Sequence, residues 1–227
     1  MDRVKNHFET EAQEFDEIIV KLIPHYHQMV DILIDSIPFT QNQAIRTADL
    51  GCGTGTIAKH IADHYPDSTI RCLDIAPKMI TMAAQKLADH KTATFQVGDF
   101  TALDPSDGYN LIVSSLALHH LISDQDKRDM YQRIYDLLLP GGVFLNIDVV
   151  LAATDHLHRL NINRWIEYMK CHVPDDEIQQ KWLPTYQAED HPALIFHHLK
   201  WLKEVGFNGV DVIWKYFNFC VYTGIKS

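Results

Sequence analysis

Apolar positions follow one pattern at the start of the chain and another from residue 46 onward. Residues 4–22 and 25–36 are amphipathic, with Pro24 at the start of the second stretch and Pro38 beyond it, which predicts two helices. Short apolar runs then appear at 47–50, 69–73, 93–97, 109–114 and 143–149. Between them lie helical patterns at 56–65, 77–90 and 124–139; Pro77 suits a first helical turn and Pro140-Gly141-Gly142 stops the last helix. Strands alternating with helices predict a parallel sheet joined by right-handed crossovers. Beyond residue 150 the pattern is helical again, broken by Pro174, Pro184 and Pro192. Gly206 ends a helix before two runs at 210–214 and 217–223, close enough to form an antiparallel edge hairpin. Neither an internal repeat nor a linker interrupts the pattern, so one domain is expected over 1–227. It divides into cap helices (1–44), a core (45–150), a helical insertion or lid (151–192), and a last helix with the terminal hairpin (193–227).

Composition narrows the class. At 46% hydrophobic and 22% charged, the 227 residues can bury a core, which excludes disordered and collagen-like chains. The net charge of −10 disfavours a nucleic-acid partner, because a phosphate backbone would be repelled. The run at 143–153 is interrupted by Asn146 and Asp148, and a membrane span needs about 20 apolar residues, so no membrane partner is expected. The amino terminus lacks the apolar stretch of a secretory signal, and Cys52, Cys72, Cys171 and Cys220 form no Cys-x-x-Cys pair. Free thiols in a reducing cytoplasm are the expectation. A homodimer is left open.

The sharpest chemical signal is Asp49-Leu50-Gly51-Cys52-Gly53-Thr54-Gly55, where a strand runs into three glycines and then a helix. Alternate glycines let a backbone turn tightly and approach a ligand without a Cβ in the way. Asp74 ends the next strand, where a doubly wound fold places an acid for ribose hydroxyls. Gly98-Asp99-Phe100 follows the third strand and offers a carboxylate and a ring edge to a purine.

These motifs resemble the class I S-adenosylmethionine-dependent methyltransferases over roughly residues 45–150, with Leu138-Leu139-Pro140-Gly141-Gly142 as that family's turn before its fifth strand. The resemblance implies a doubly wound, mostly parallel seven-stranded α/β sheet, Rossmann-like, with an antiparallel last strand. It also implies S-adenosyl-L-methionine as cofactor and S-adenosyl-L-homocysteine as product. The donor-binding set carried over is Tyr26, Asp49, Gly51, Cys52, Gly53, Gly55, Asp74, Ile75, Met79, Asp99, Phe100 and Ser115. A narrower resemblance, over nearly the whole chain, is to carboxy-S-adenosylmethionine synthases, through Phe15-Asp16, Ile23-Pro24-x-Tyr26, Gly206-Phe207 and Phe217-Asn218-Phe219. The chain departs from them at Gly53, at Ser115 and at Trp201, which stands where that family has a carboxylate-binding arginine.

His119 and His120 follow the fourth strand and are the candidate catalytic bases, since histidine titrates near neutrality. The rival reading is structural, with His119 capping the next helix and His120 packing beneath it. Trp165, Tyr168, Trp201 and Tyr216 are the candidate acceptor-pocket aromatics, with Phe217 in the same group. No metal is expected, because the pairs His25-x-His27, His156-x-His158 and His197-His198 lack the i, i+4 spacing of a helical zinc site. The charged run Asp124, Asp126, Lys127, Arg128, Asp129 reads as a solvated helix start. The reading is a methyltransferase acting on a small-molecule acceptor. Its alternatives are a cofactor-modifying enzyme like the carboxy-S-adenosylmethionine synthases and a binding module without turnover.

Overall fold

The computed structural model describes residues 2–227. Helices α1 (Asp2–Glu11), α2 (Phe15–Leu22) and α3 (Tyr26–Asp35) come first, and a 3₁₀ turn at Ala12–Glu14 divides what the pattern predicts as one helix over 4–22. Then follow β1 (Arg46–Leu50), α4 (Thr56–His64), β2 (Thr69–Asp74), α5 (Pro77–Lys86), β3 (Ala93–Val97), β4 (Tyr109–Ser115), α6 (Asp124–Leu137) and β5 (Leu138–Val149). The remainder is α7 (Asp155–Lys170), a short α8 (Asp175–Glu177) running through a π turn into α9 (Leu183–Glu189), α10 (Ile195–Val205), β6 (Asn208–Tyr216) and β7 (Phe219–Ile225).

Among the described residues the sheet has seven strands in the order β3-β2-β1-β4-β5-β7-β6. The first five are parallel, and β7 pairs antiparallel with both β5 and β6. Strand order reverses beside β1, so β1 and β4 diverge at their carboxyl ends and open the crevice where doubly wound folds bind ligands. One apolar cluster packs α3, α4 and α7 on one face of the sheet, and a second packs α6 and α10 on the other. Burial on both faces explains why Leu111, Ile112 and Val113 run apolar without alternating along β4.

Three local expectations change. The helix expected over 124–139 ends at Leu137, and Leu138–Gly142 opens β5 through a register irregularity against β4. The terminal hairpin turns at Phe217 and Asn218, so β7 begins two residues later than expected, and Phe217 takes a left-handed φ of 49°. The charged run before α6 is not wholly solvated. Lys127 is buried and donates from Nζ to the Leu121 carbonyl at 2.5 Å. Ser123, not His119, caps α6: its hydroxyl accepts from Asp126 N–H at 3.1 Å while the Asp126 carboxylate accepts from Ser123 N–H at 2.9 Å.

Candidate active site

The glycine turn after β1 is held against β2. Gly51 and Cys52 N–H both donate to the Leu73 carbonyl, at 2.8 and 3.0 Å. Gly51 sits at φ +70°, and a Cβ there would lie 2.4 Å from the Ala117 methyl, so both backbone sign and space require glycine. A Cβ on Gly53 would instead point into open space, with Phe15 at 3.9 Å as its nearest neighbour. Asp74 ties the turn down, its Oδ2 accepting from Gly53 N–H at 2.9 Å and its Oδ1 from Ala76 N–H at 2.8 Å. Burial raises the Asp74 pKa, and these N–H bonds restrain the rise.

A cavity opens over this turn. Its lining brings together Tyr26, Asp49, Gly51, Cys52, Gly53, Asp74, Ile75, Met79, Asp99, Phe100 and Ser115 from the expected donor set. Gly55 lies behind the wall, capping α4 at φ +83°. Asp49 is buried and, among the described residues, no side chain hydrogen-bonds its carboxylate, which is restrained only by the backbone at Ala58. Burial and the nearby Asp74 charge push its pKa up to about 7. Asp99 is partly engaged, accepting from Thr101 N–H at 2.8 Å and from the Thr101 hydroxyl. Phe8 and Phe15 close the cavity from the amino-terminal helices. Those helices are fastened by Asp16, which accepts from Thr54 Oγ1 at 2.5 Å and pairs with Lys86 Nζ at 2.6 Å. A buried carboxylate without a side-chain partner, an open glycine cradle and an acid at a strand end fit a ligand bearing cationic groups and ribose hydroxyls.

A second cavity adjoins the first and shares Phe8, Phe15, Ile19, Leu116 and His120 with it. Trp165, Trp182 and Tyr186 form its aromatic wall, while His119, His120, Glu189 and Asp190 form its polar end. Leu116 makes the junction: at φ +52° it turns β4 sharply out of the sheet, a conformation costing on the order of 1 kcal/mol for a non-glycine residue. The turn delivers both histidines to the cavity.

His119 is oriented from below. Its Nδ1 meets Asp148 Oδ1 at 2.5 Å, and Asp148, fully buried in β5, also accepts from Asn146 Nδ2 at 3.1 Å and Val149 N–H at 3.0 Å. Asn146 Nδ2 donates to Tyr222 Oη at 2.6 Å, Tyr222 bonds Tyr131 at 2.8 Å, and Tyr131 meets His198 Nδ1 at 2.5 Å. Burial disfavours charge on Asp148, but the His119 charge and hydrogen bond outweigh it and hold the pKa below its ordinary value. For His119 burial pushes down while Asp190 and Asp148 pull up, with a net rise. Burial and the His119 charge drive His120 down to about 3. Among the described residues His119, His120 and Asp190 each offer a ligand atom, all within 4.8 Å of one another.

The expected aromatics separate. Trp165 lines the second cavity and donates from Nε1 to the Leu22 carbonyl at 2.7 Å. Tyr168 donates to the Val20 carbonyl, Tyr216 stacks on Trp214 and meets His25 edge-on, and Trp201 is buried on the opposite face of the sheet with the Arg128 guanidinium 5.3 Å from its ring centre. None of these three lines either cavity, so an argument from Trp201 about acceptor charge does not apply at the site. Residues missed from sequence are Phe8, Asp148, Trp182, Tyr186, Glu189 and Asp190. Asp148 left a signal as a charge inside an otherwise apolar strand; Asp190 left none.

A parallel sheet with an antiparallel β7, a glycine turn after β1 and an acid ending β2 define a doubly wound α/β fold with a ligand crevice at its strand ends. The methyltransferase-domain family matches residues 48–142. The chain is 27% identical over 221 residues to a carboxy-S-adenosyl-L-methionine synthase of Nitratiruptor sp., covering 95% of this chain and 90% of that one. It is 30% identical over 140 residues to malonyl-[acyl-carrier protein] O-methyltransferase 1 of Ilyobacter polytropus, covering 62% of this chain and 49% of the relative. Human N-acetylserotonin methyltransferase in complex with S-adenosylmethionine superposes with a TM-score of 0.64 at 21% identity, over 99% of this chain and 57% of that one. Residues 48–142 carry a methyltransferase domain and the fold is that of the class I S-adenosylmethionine-dependent methyltransferases, which supports S-adenosylmethionine as cofactor. Among the described residues no helix is long and apolar enough to cross a membrane.

Proposed function

We propose that the chain transfers methyl to a hydroxyl or amine of a small acceptor with an apolar body, held in the second cavity. Bound S-adenosylmethionine supplies a methyl carbon activated by its sulfonium for in-line displacement. Asp74 holds the ribose hydroxyls, Asp49 faces the cationic methionine portion beside Tyr26, and Phe100 and Asp99 border the adenine. Phe8, Phe15 and Leu116, common to both cavities, exclude water where donor and acceptor meet. His119 and His120 are the side chains that face the acceptor's reacting atom. Free thiols at Cys52, Cys72, Cys171 and Cys220 support a cytoplasmic setting.

The observation that carries this reading is the lining of the second cavity. Its polar end holds the carboxylates of Glu189 and Asp190 and the imidazoles of His7, His119 and His120, and among the described residues no lysine or arginine lines it. An acceptor hydroxyl or amine finds partners there. A carboxylate would be desolvated beside the like charges of Glu189 and Asp190, a cost of several kcal/mol. The whole-chain likeness to a carboxy-S-adenosyl-L-methionine synthase favours a second reading, in which the enzyme modifies the cofactor itself. Mass spectrometry of the small molecule released on denaturing the purified protein separates the two. S-adenosylmethionine or S-adenosylhomocysteine is expected, and a carboxylated cofactor would overturn the transfer reading. Release of S-adenosylhomocysteine in a screen of phenol and amine acceptors then distinguishes turnover from binding alone.

A further inference from the structure

Asp190 lies across the two imidazoles, presenting Oδ2 to His119 Nε2 at 3.6 Å and Oδ1 to His120 Nδ1 at 3.5 Å. Both separations exceed the 2.7 to about 3.2 Å of an N–H···O bond. With one donor atom from each of the three residues lying within 4.8 Å of the others, the cluster can close on a single ion at bonds of about 2.0–2.2 Å. We propose that His119, His120 and Asp190 bind a divalent transition-metal ion whose open side faces the acceptor cavity. The proposal deepens the reading of that cavity as the acceptor site.

Three further features agree. The nitrogen of His119 that faces away from Asp190 is fixed by buried Asp148 at 2.5 Å, the carboxylate behind a ligating histidine that fixes its tautomer and raises its basicity. Two carboxylates, Glu189 and Asp190, stand beside the imidazoles at this end of the cavity. Lys127, whose charge reaches His119, gives its ammonium to the Leu121 carbonyl, and Glu189 is met by His7 Nδ1 at 2.9 Å. Two imidazoles and one carboxylate select ions such as zinc, iron(II), cobalt or manganese over magnesium and calcium, which favour all-oxygen sites. His120 Nδ1 also lies 3.1 Å from the Glu189 carbonyl, so the ion displaces the proton that this nitrogen would otherwise donate. Trp165, Trp182 and Tyr186 form an apolar surround, and the acceptor's hydroxyl or amine would complete the coordination shell.

The test uses the full chain stripped of metal by a chelator. Calorimetric titration with Zn²⁺ should show one equivalent bound at micromolar affinity or tighter, and Co²⁺ should develop the ligand-field absorption of an imidazole-coordinated ion. Asp148→Asn should weaken Zn²⁺ binding roughly 10- to 100-fold and Asp190→Asn by at least as much, whereas His197→Ala should leave it unchanged. Zn²⁺ binding only at millimolar concentration, or binding unaltered in a folded Asp190→Asn variant, would overturn the proposal. If Asp190→Asn does not fold, absence of the imidazole-coordinated Co²⁺ signature in the unaltered chain overturns it equally. S-adenosylmethionine titrated into the metal-free protein reports the transfer reading separately: loss of donor binding with Zn²⁺ binding intact would sink that reading and leave the metal site standing.

Discussion

The two cavities share a wall but are built in opposite ways. The donor cavity takes its polar groups from short segments at the carboxyl ends of adjacent strands: the turn after β1, Asp74 at the end of β2, and residues 98–100 after β3. The acceptor cavity gathers α1, α2, the turn after β4, α7 and the segment through α9, which lie far apart in sequence. A turn whose backbone must avoid Cβ atoms constrains sequence locally. A pocket assembled by tertiary packing constrains it only through distant pairs.

Removing Trp201 tests whether the halves are energetically separable. It is buried on the α10 face and touches His198, the far end of the hydrogen-bonded chain beneath His119. Trp201→Ala should cost about 3–5 kcal/mol of stability in denaturant titrations. Donor affinity of the folded fraction should stay within about threefold; a collapse would show that the donor half depends on the opposite face.

Asp74→Ala probes the donor half directly, since it removes both the carboxylate that would grip ribose and the anchor of Gly53 N–H. Calorimetry should show S-adenosylmethionine binding weakened by roughly 1.5–3 kcal/mol. Unchanged affinity in a folded variant would take Asp74 out of the site.

A smaller effect sharpens the contrast through pH. Asp49 has its folded-state pKa raised to about 7, so the native state without ligand favours the protonated acid. On this group's account stability falls as pH rises from the ordinary carboxylate range through 7. A cationic ligand favours the ionised form, so donor affinity should rise about tenfold between pH 6 and pH 8 and then level off. A flat profile would mean that Asp49 does not face the ligand's positive charge.

The sheet order, the antiparallel final pair and the glycine turn were legible because periodicity and turn chemistry are written into consecutive residues. Asp49, Asp74 and Phe100 were found for the same reason. His119 and His120 were placed at the right strand end, yet their partners were not: Asp190 lies seventy positions away in sequence and reaches them only because α9 ends there. Trp201 was misplaced because a family correspondence at one position does not say which face of the sheet a helix covers. The polar residues Asn146 and Asp148 inside an apolar strand were visible, but they read as a break in hydrophobicity until Tyr222 and His119 supplied their partners.

That last pairing bears on the order in which the protein becomes competent as it is synthesised. Strands β1 to β5 and the donor turn precede residue 150, so a growing chain can close its nucleotide-binding half through short-range crossovers. Tyr222 belongs to β7, the final strand, which clamps Asn146 and Asp148 only after the hairpin has folded back antiparallel on β5. In a growing chain the Tyr222 bond to Asn146, and with it the completed network behind the Asp148–His119 pair, is therefore the last of these contacts to form.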